Sequence, residues 1–172
     1  PFDGMNETGL AIGMAAVPSG NMKTDPQKQT IDELGVMREV LDHAGTVDEA
    51  IAILKSYNID MGNVPLHYLV ASRVGDSALI EFHKGKMAVL RNAEPWQVAT
   101  NFLVTSVDER TAGQCRRYDI VSLGLEEVKG KLTIEEAMEL LAQVSQDSPD
   151  DNADTQWSVV YDMTGSEVNI IL

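Results

Sequence analysis

One cysteine, three histidines and few aromatic residues leave this chain little room for several common chemistries. A lone Cys115 cannot form an internal disulfide and excludes a cysteine-based zinc site. His43, His67 and His83 stand too far apart for a local metal motif, and Asp150, Asp151 and Asp154 lack the ligand spacing of a calcium loop. No stretch approaches the roughly 18 apolar residues of a membrane span. Basic residues are scarce and dispersed: 13 Lys and Arg against 27 Asp and Glu give a formal charge of −14. That balance excludes a phosphate backbone as partner, so no nucleic acid is expected, and it disfavours anionic membrane surfaces. Gly9-Leu10-Ala11-Ile12-Gly13 has the wrong spacing for a phosphate-binding loop. Pro1-Phe2-Asp3-Gly4 shows neither an initiator Met nor the basic and apolar regions of a signal peptide, so cytoplasmic and secreted or periplasmic settings both stay open.

What is present is a chain of 172 residues, 44% hydrophobic, long enough to bury roughly 70% of its unfolded surface in one domain. Four positions pair Ser or Thr with Glu three residues later: Thr30…Glu33, Thr46…Glu49, Ser106…Glu109 and Thr133…Glu136. Each such pair can satisfy orphan amides at a helix start. Behind the second, Val47, Ala50, Ile51 and Leu54 form an apolar stripe; behind the fourth, Ile134, Ala137, Met138 and Leu141 do the same. The first carries Leu34, Met37 and Leu41, with Gly45 placed to end it, and the third runs less regularly through Tyr118 and Val121.

Strands are expected over Leu10–Val17, Leu66–Arg73, Ser77–His83, Lys86–Arg91 and Trp96–Phe102, with a closing hairpin of Gln156–Asp162 and Ser166–Leu172. Short turns at Val74-Gly75-Asp76 and Lys84-Gly85 imply antiparallel pairing. Asn21–Gln29 and Asp147–Thr155 read as polar loops. The order strand, helix pair, strands, helix pair, strands predicts an α+β fold in which sheets are layered between helices, with residues 1–172 as a single domain.

Asp3-Gly4-Met5-Asn6-Glu7-Thr8-Gly9-Leu10-Ala11 is similar to the DGxNExGLA segment of choloylglycine hydrolases, penicillin V acylases and related linear-amide hydrolases. The resemblance continues in order through Gly45-Thr46-Val47-Asp48-Glu49-Ala50, His67-Tyr68-Leu69-Val70-Ala71, Gly75-Asp76-Ser77 with Ile80-Glu81-Phe82, Val98-Ala99-Thr100-Asn101-Phe102 and Cys115-Arg116-Arg117-Tyr118. Each match alone is weak; the ordered set over residues 3–125 is specific.

The resemblance implies a four-layer αββα sandwich of antiparallel sheets, the Ntn-hydrolase fold, incomplete in this chain. It implies a small-molecule amide as substrate, neither metal nor organic cofactor, and a processed N-terminal cysteine. The sulfur of that cysteine attacks the amide while its own α-amino group serves as base. Residue one here is Pro1, so the expectation is that an upstream segment of the same protein carries the nucleophile and completes the sheet. Cys115, inside the chain with no adjacent histidine, reads as a small helix-face residue. By resemblance, Asn101 is expected to donate to the developing oxyanion or to hold the amine end of the nucleophile. Arg117, with Arg116 as the alternative, is expected to support the thiolate. Met14, Ala16, Met61 and Leu66 are expected to line an acyl pocket. Ala16 stands where bile-salt-type members carry Asn, which removes a side-chain donor and turns the expectation toward broader N-acyl amides. His67 reads as a hydrogen-bonded structural histidine, and Asp3, Asn6 and Glu7 as the turn into the first strand. An acyltransferase of the same fold and a non-catalytic binding domain are the rival readings, and a homo-oligomer is compatible with either.

Overall fold

The computed structural model describes residues 2–106, 115–147 and 154–172. Glu109 of the expected Ser106…Glu109 helix start, and Asp150 and Asp151 of the acidic loop, lie outside the described residues.

β1 (Asp3–Met5) turns into β2 (Leu10–Ala16) and pairs with it antiparallel, Asp3 opposite Gly13 and Met5 opposite Ala11. Sequence reading took β1 as turn only, because three residues show no alternation. Asn6 makes the turn rigid. Its Oδ1 accepts from the amides of Thr8 and Leu10 at 3.1 and 3.0 Å, and its Nδ2 donates to the carbonyls of Leu41 and Ala44 at 3.0 and 2.7 Å. Gly9 follows with φ of 77°, and a Cβ there would stand 2.5 Å from the Met163 carbonyl oxygen. Only glycine fits that position.

β3 (Thr30–Asp32) leads into α1 (Glu33–His43), α2 (Val47–Ser56) and β4 (Asn58–Asp60). The expected cap at Thr30 is corrected: Thr30 lies in β3, paired parallel to β4, and Asp32 caps α1 by accepting from Gly35 N at 2.6 Å. Both residue types cap well, but Asp32 adjoins the point where the apolar stripe begins. Thr46 and Glu49 form the expected reciprocal box at α2.

β5 (Leu66–Ser72), β6 (Ser77–His83) and β7 (Lys86–Arg91) complete a five-stranded antiparallel sheet in the order β1-β2-β5-β6-β7. Lys84 and Gly85 both take positive φ (51° and 74°), the geometry whose twist suits a two-residue hairpin. One face of the sheet presents Leu10, Ile12, Leu66, Tyr68, Val70, Ala78, Ile80 and Phe82 to Val36, Met37 and Val40 of α1 and to Val47, Ala50, Ile51 and Leu54 of α2. Burial of each large apolar side chain stabilises by roughly 1.5–3 kcal/mol, so this interface is the main core. The opposite face buries His67, Leu79 and Glu81.

α3 (Arg116–Glu127) and α4 (Ile134–Ala142) precede the antiparallel hairpin of β8 (Ser158–Asp162) and β9 (Glu167–Ile171). α4 packs on β8, and the Tyr161 hydroxyl of β8 bonds the Asp3 carboxylate of β1, tying this hairpin to the five-stranded sheet. The fold is α+β, as expected: α1 and α2 cover the five-stranded sheet, α4 packs on the β8–β9 hairpin, and β3 with β4 adds a small parallel sheet. Trp96–Phe102 is not a strand. Pro95 precedes it, and the Gln97 side chain takes the Leu90 carbonyl at 2.9 Å, so the segment leaves the edge of β7 without pairing. No helix among the described residues is long and apolar enough to cross a membrane.

Candidate active site

β2 ends at Ala16, opposite Leu66, with Val17 N still donating to the Pro65 carbonyl at 2.8 Å just beyond. The segment after β7 bends back to meet this strand end. Asn101 Nδ2 donates to the Ala16 carbonyl oxygen at 2.8 Å, and Arg117 Nη2, from the first turn of α3, donates to Asn101 Oδ1 at 2.6 Å. Three chain regions thus converge on one carboxamide, held at both ends, with its second N–H unpartnered among the described residues. Arg116, the alternative to Arg117, is exposed.

Beside this pair the Thr100 hydroxyl donates to Cys115 Sγ at 3.3 Å. Cys115 is the N-cap of α3, not a helix-face residue. Burial pushes its thiol up. The Thr100 hydroxyl, the Tyr118 amide, the Arg117 charge and the Arg117 amide outweigh that and hold it below the ordinary thiol value. The sequence shows little sign of the Thr100–Cys115 contact, since the two residues are 15 apart and share no local motif. The one available signal was Thr100 standing next to Asn101. The Phe102 ring meets Tyr118 edge-on with centroids 5.1 Å apart, holding the bend against α3.

A cavity of about 540 Å³ adjoins Ala16. Met14, Ala16, Met61 and Leu66 all line it, with Phe2 and Val64 adding apolar wall and Glu33 as the ionisable residue. Ala16 therefore belongs to both the cavity and the polar cluster. Such an arrangement sets an apolar cavity next to a carboxamide and a guanidinium, joined through the Ala16 backbone.

His67 departs from expectation. It is buried, but among the described residues neither ring nitrogen has a hydrogen-bond partner, and Nδ1 stands 3.6 Å from Glu81 Oε1, beyond hydrogen-bond distance. Glu81 was not foreseen as a site residue either. Burial pushes its carboxyl up. The nearby His67 and Thr105 side chains, close to it but short of good hydrogen-bond geometry, and the bonds from the Thr105 and Val104 amides outweigh burial and hold it below the usual carboxylate range.

Residues 1–102 match the family of linear amide C-N hydrolases known as the choloylglycine hydrolase family. The chain belongs to the choloylglycine hydrolase family. Within its reach this family member is 32% identical over 111 residues to a penicillin V acylase from Pectobacterium atrosepticum, a match covering 58% of this chain and 29% of that protein. Its fold is shared with the penicillin V acylase from Agrobacterium tumefaciens at a TM-score of 0.72 and 24% identity, over 98% of this chain and 61% of that one. A variant of the conjugated bile acid hydrolase from Clostridium perfringens shares it at 0.71 and 18% identity, over 99% and 71%. This choloylglycine hydrolase homologue thus has the Ntn-hydrolase fold and spans less than two thirds of the penicillin V acylases it matches.

Proposed function

We propose that this chain is the substrate-binding body of an enzyme that hydrolyses the C–N bond of a non-peptide linear amide bearing an apolar acyl group. The acyl group enters the cavity lined by Met14, Ala16, Met61 and Leu66. A cysteine thiolate at a processed N-terminus, on a segment of the same protein outside these 172 residues, attacks the carbonyl carbon. Negative charge develops on the carbonyl oxygen and meets the spare N–H of Asn101, which Arg117 holds in place. The tetrahedral intermediate expels the amine, which takes the proton from the terminal ammonium group. Water then cleaves the thioester, returning a proton to the sulfur. Ala16 offers no side-chain donor, so Asn101 carries more of the oxyanion's stabilisation.

The observation carrying this reading is that one residue, Ala16, lines the apolar cavity and accepts the hydrogen bond of Asn101. The exposed apolar residues Val168, Ile170 and Ile171 of β9 support a further covering segment. The test is turnover by the complete protein of penicillin V and of 4-nitroanilides of phenylacetic, hexanoic and decanoic acid. Release of free acid and amine supports the proposal. Acyl transfer to added hydroxylamine in preference to water makes it an acyltransferase, and binding without turnover makes it a non-catalytic domain; either overturns it.

A further inference from the structure

We propose that Glu81 is a positioning residue for the reaction, holding Asn101 in place by clamping the backbone two steps beyond Phe102. This rests on the reading of Asn101 as an oxyanion donor. Glu81 projects from β6 toward the face of the sheet opposite the main core and is fully buried. Register sets Tyr68 opposite Ile80, so His67 lies opposite Glu81 on that face. The two carboxylate oxygens are divided between consecutive amides: Oε1 accepts from Val104 N at 2.6 Å and Oε2 from Thr105 N at 2.8 Å. Charge-assisted bonds of this kind are short and directional. Leu103 packs beside them with no exposure. The clamp thus grips the bend whose other end sends Asn101 to Ala16 and Thr100 to Cys115.

A carboxylate is a costly way to fill this space. A buried ionised group must recover its lost hydration from protein donors, and an apolar side chain would close the core with less penalty. The surroundings are imperfectly matched: His67 Nδ1 stands 3.6 Å from Glu81 Oε1, and among the described residues the buried Thr105 hydroxyl has no partner at hydrogen-bond distance. A spot that departs from good packing this far calls for a reason other than stability. Directional control of the bend supplies one, because Asn101 has no strand to hold it: the segment 96–102 is irregular. A displacement near 1 Å at a reacting group typically costs on the order of 100-fold in rate.

The experiment places Glu81→Gln and Glu81→Asp in the complete protein, alone and with Asn101→Ala. Glutamine keeps the size but turns one acceptor into a donor facing an amide; aspartate keeps the charge but falls short by one methylene. Either variant is expected to lower kcat for the phenylacetyl 4-nitroanilide roughly 10- to 100-fold with KM within about twofold. In the Asn101→Ala background the same change should cost less than about threefold, because the group being positioned is gone. Amide exchange at Val104 and Thr105 should accelerate in both variants. If Glu81→Gln does not fold, Glu81→Asp carries every readout. Unchanged kcat per folded molecule, full additivity with Asn101→Ala, or undiminished protection of the two amides would each overturn the clamp. Should the unaltered protein turn over no amide, the functional reading fails separately. The clamp is then judged by the Asn101 side-chain NH₂ resonances, which should be distinct in the unaltered protein and exchange-broadened in Glu81→Asp; their insensitivity would overturn it.

Discussion

Replacing Asn101 separates a catalytic carboxamide from a structural one, because the structure predicts effects of different size on rate and on stability. Asn101 is exposed, and its two visible bonds run to a strand-end carbonyl at 2.8 Å and to a guanidinium at 2.6 Å. Removing them in Asn101→Ala leaves both partners within reach of water, so the loss of stability should stay below about 1 kcal/mol. The loss at the transition state is larger. A single oxyanion donor contributes on the order of 3 kcal/mol, so kcat should fall roughly 100- to 1000-fold. Asn101→Asp sharpens the contrast. Its carboxylate pairs with Arg117, yet it has no N–H for the Ala16 carbonyl or for the oxyanion and adds a repelling charge. We expect Asn101→Asp to melt within a few degrees of the unaltered protein and to be at least as inactive as Asn101→Ala. The assay is steady-state release of 4-nitroaniline, with thermal midpoints recorded in parallel. Turnover within threefold for Asn101→Asp, or a stability loss in Asn101→Ala that exceeds the barrier change, refutes the assigned role.

Three further outcomes follow from named contacts. Cys115 should react with iodoacetamide with a midpoint below the ordinary thiol value of 9.0, and Arg117→Gln should raise that midpoint by removing one cause of the shift. Asn6→Ala should lower unfolding free energy in urea by about 2–3 kcal/mol, since it strips partners from a partly buried junction between the β1–β2 turn and the end of α1. The folded-state value of Glu81 is depressed, so its stabilisation is complete above the ordinary carboxylate value of 4.5 and is lost as pH falls through the lower folded value. Acid unfolding followed by circular dichroism should therefore be less steep in Glu81→Gln.

Much of this was legible in the sequence wherever local chemistry and burial agree. At α2 and α4, Thr46 and Thr133 close reciprocal boxes and the apolar stripe starts at once, so propensity and packing give one answer. β5 and β6 announced themselves by apolar runs between short turns. What the sequence hid depends on distant pairing. β3 and β4 are three residues each and exist only because the α1–α2 hairpin brings Ile31 beside Ile59. Trp96–Phe102 has strand-like residues and the β7 edge stands beside it, but Pro95 and the Gln97 side chain, which takes the Leu90 carbonyl, turn it away, and Glu81 fixes the stretch that follows. Asn101 and Arg117 were found through resemblance, and the structure brings them into contact. The places of Cys115 and Glu81 were not legible, because their partners Thr100, Val104 and Thr105 sit in an irregular segment that no periodicity encodes.

The most direct measurement of the central claim is the intact mass of the complete protein, acid-quenched during turnover of the phenylacetyl 4-nitroanilide and then mapped by peptide. The account predicts a phenylacetyl adduct on an N-terminal cysteine, accumulating in proportion as the leaving amine is released, with Cys115 unmodified. An adduct on Cys115, or steady turnover with no acylated sulfur at any stage, would contradict it.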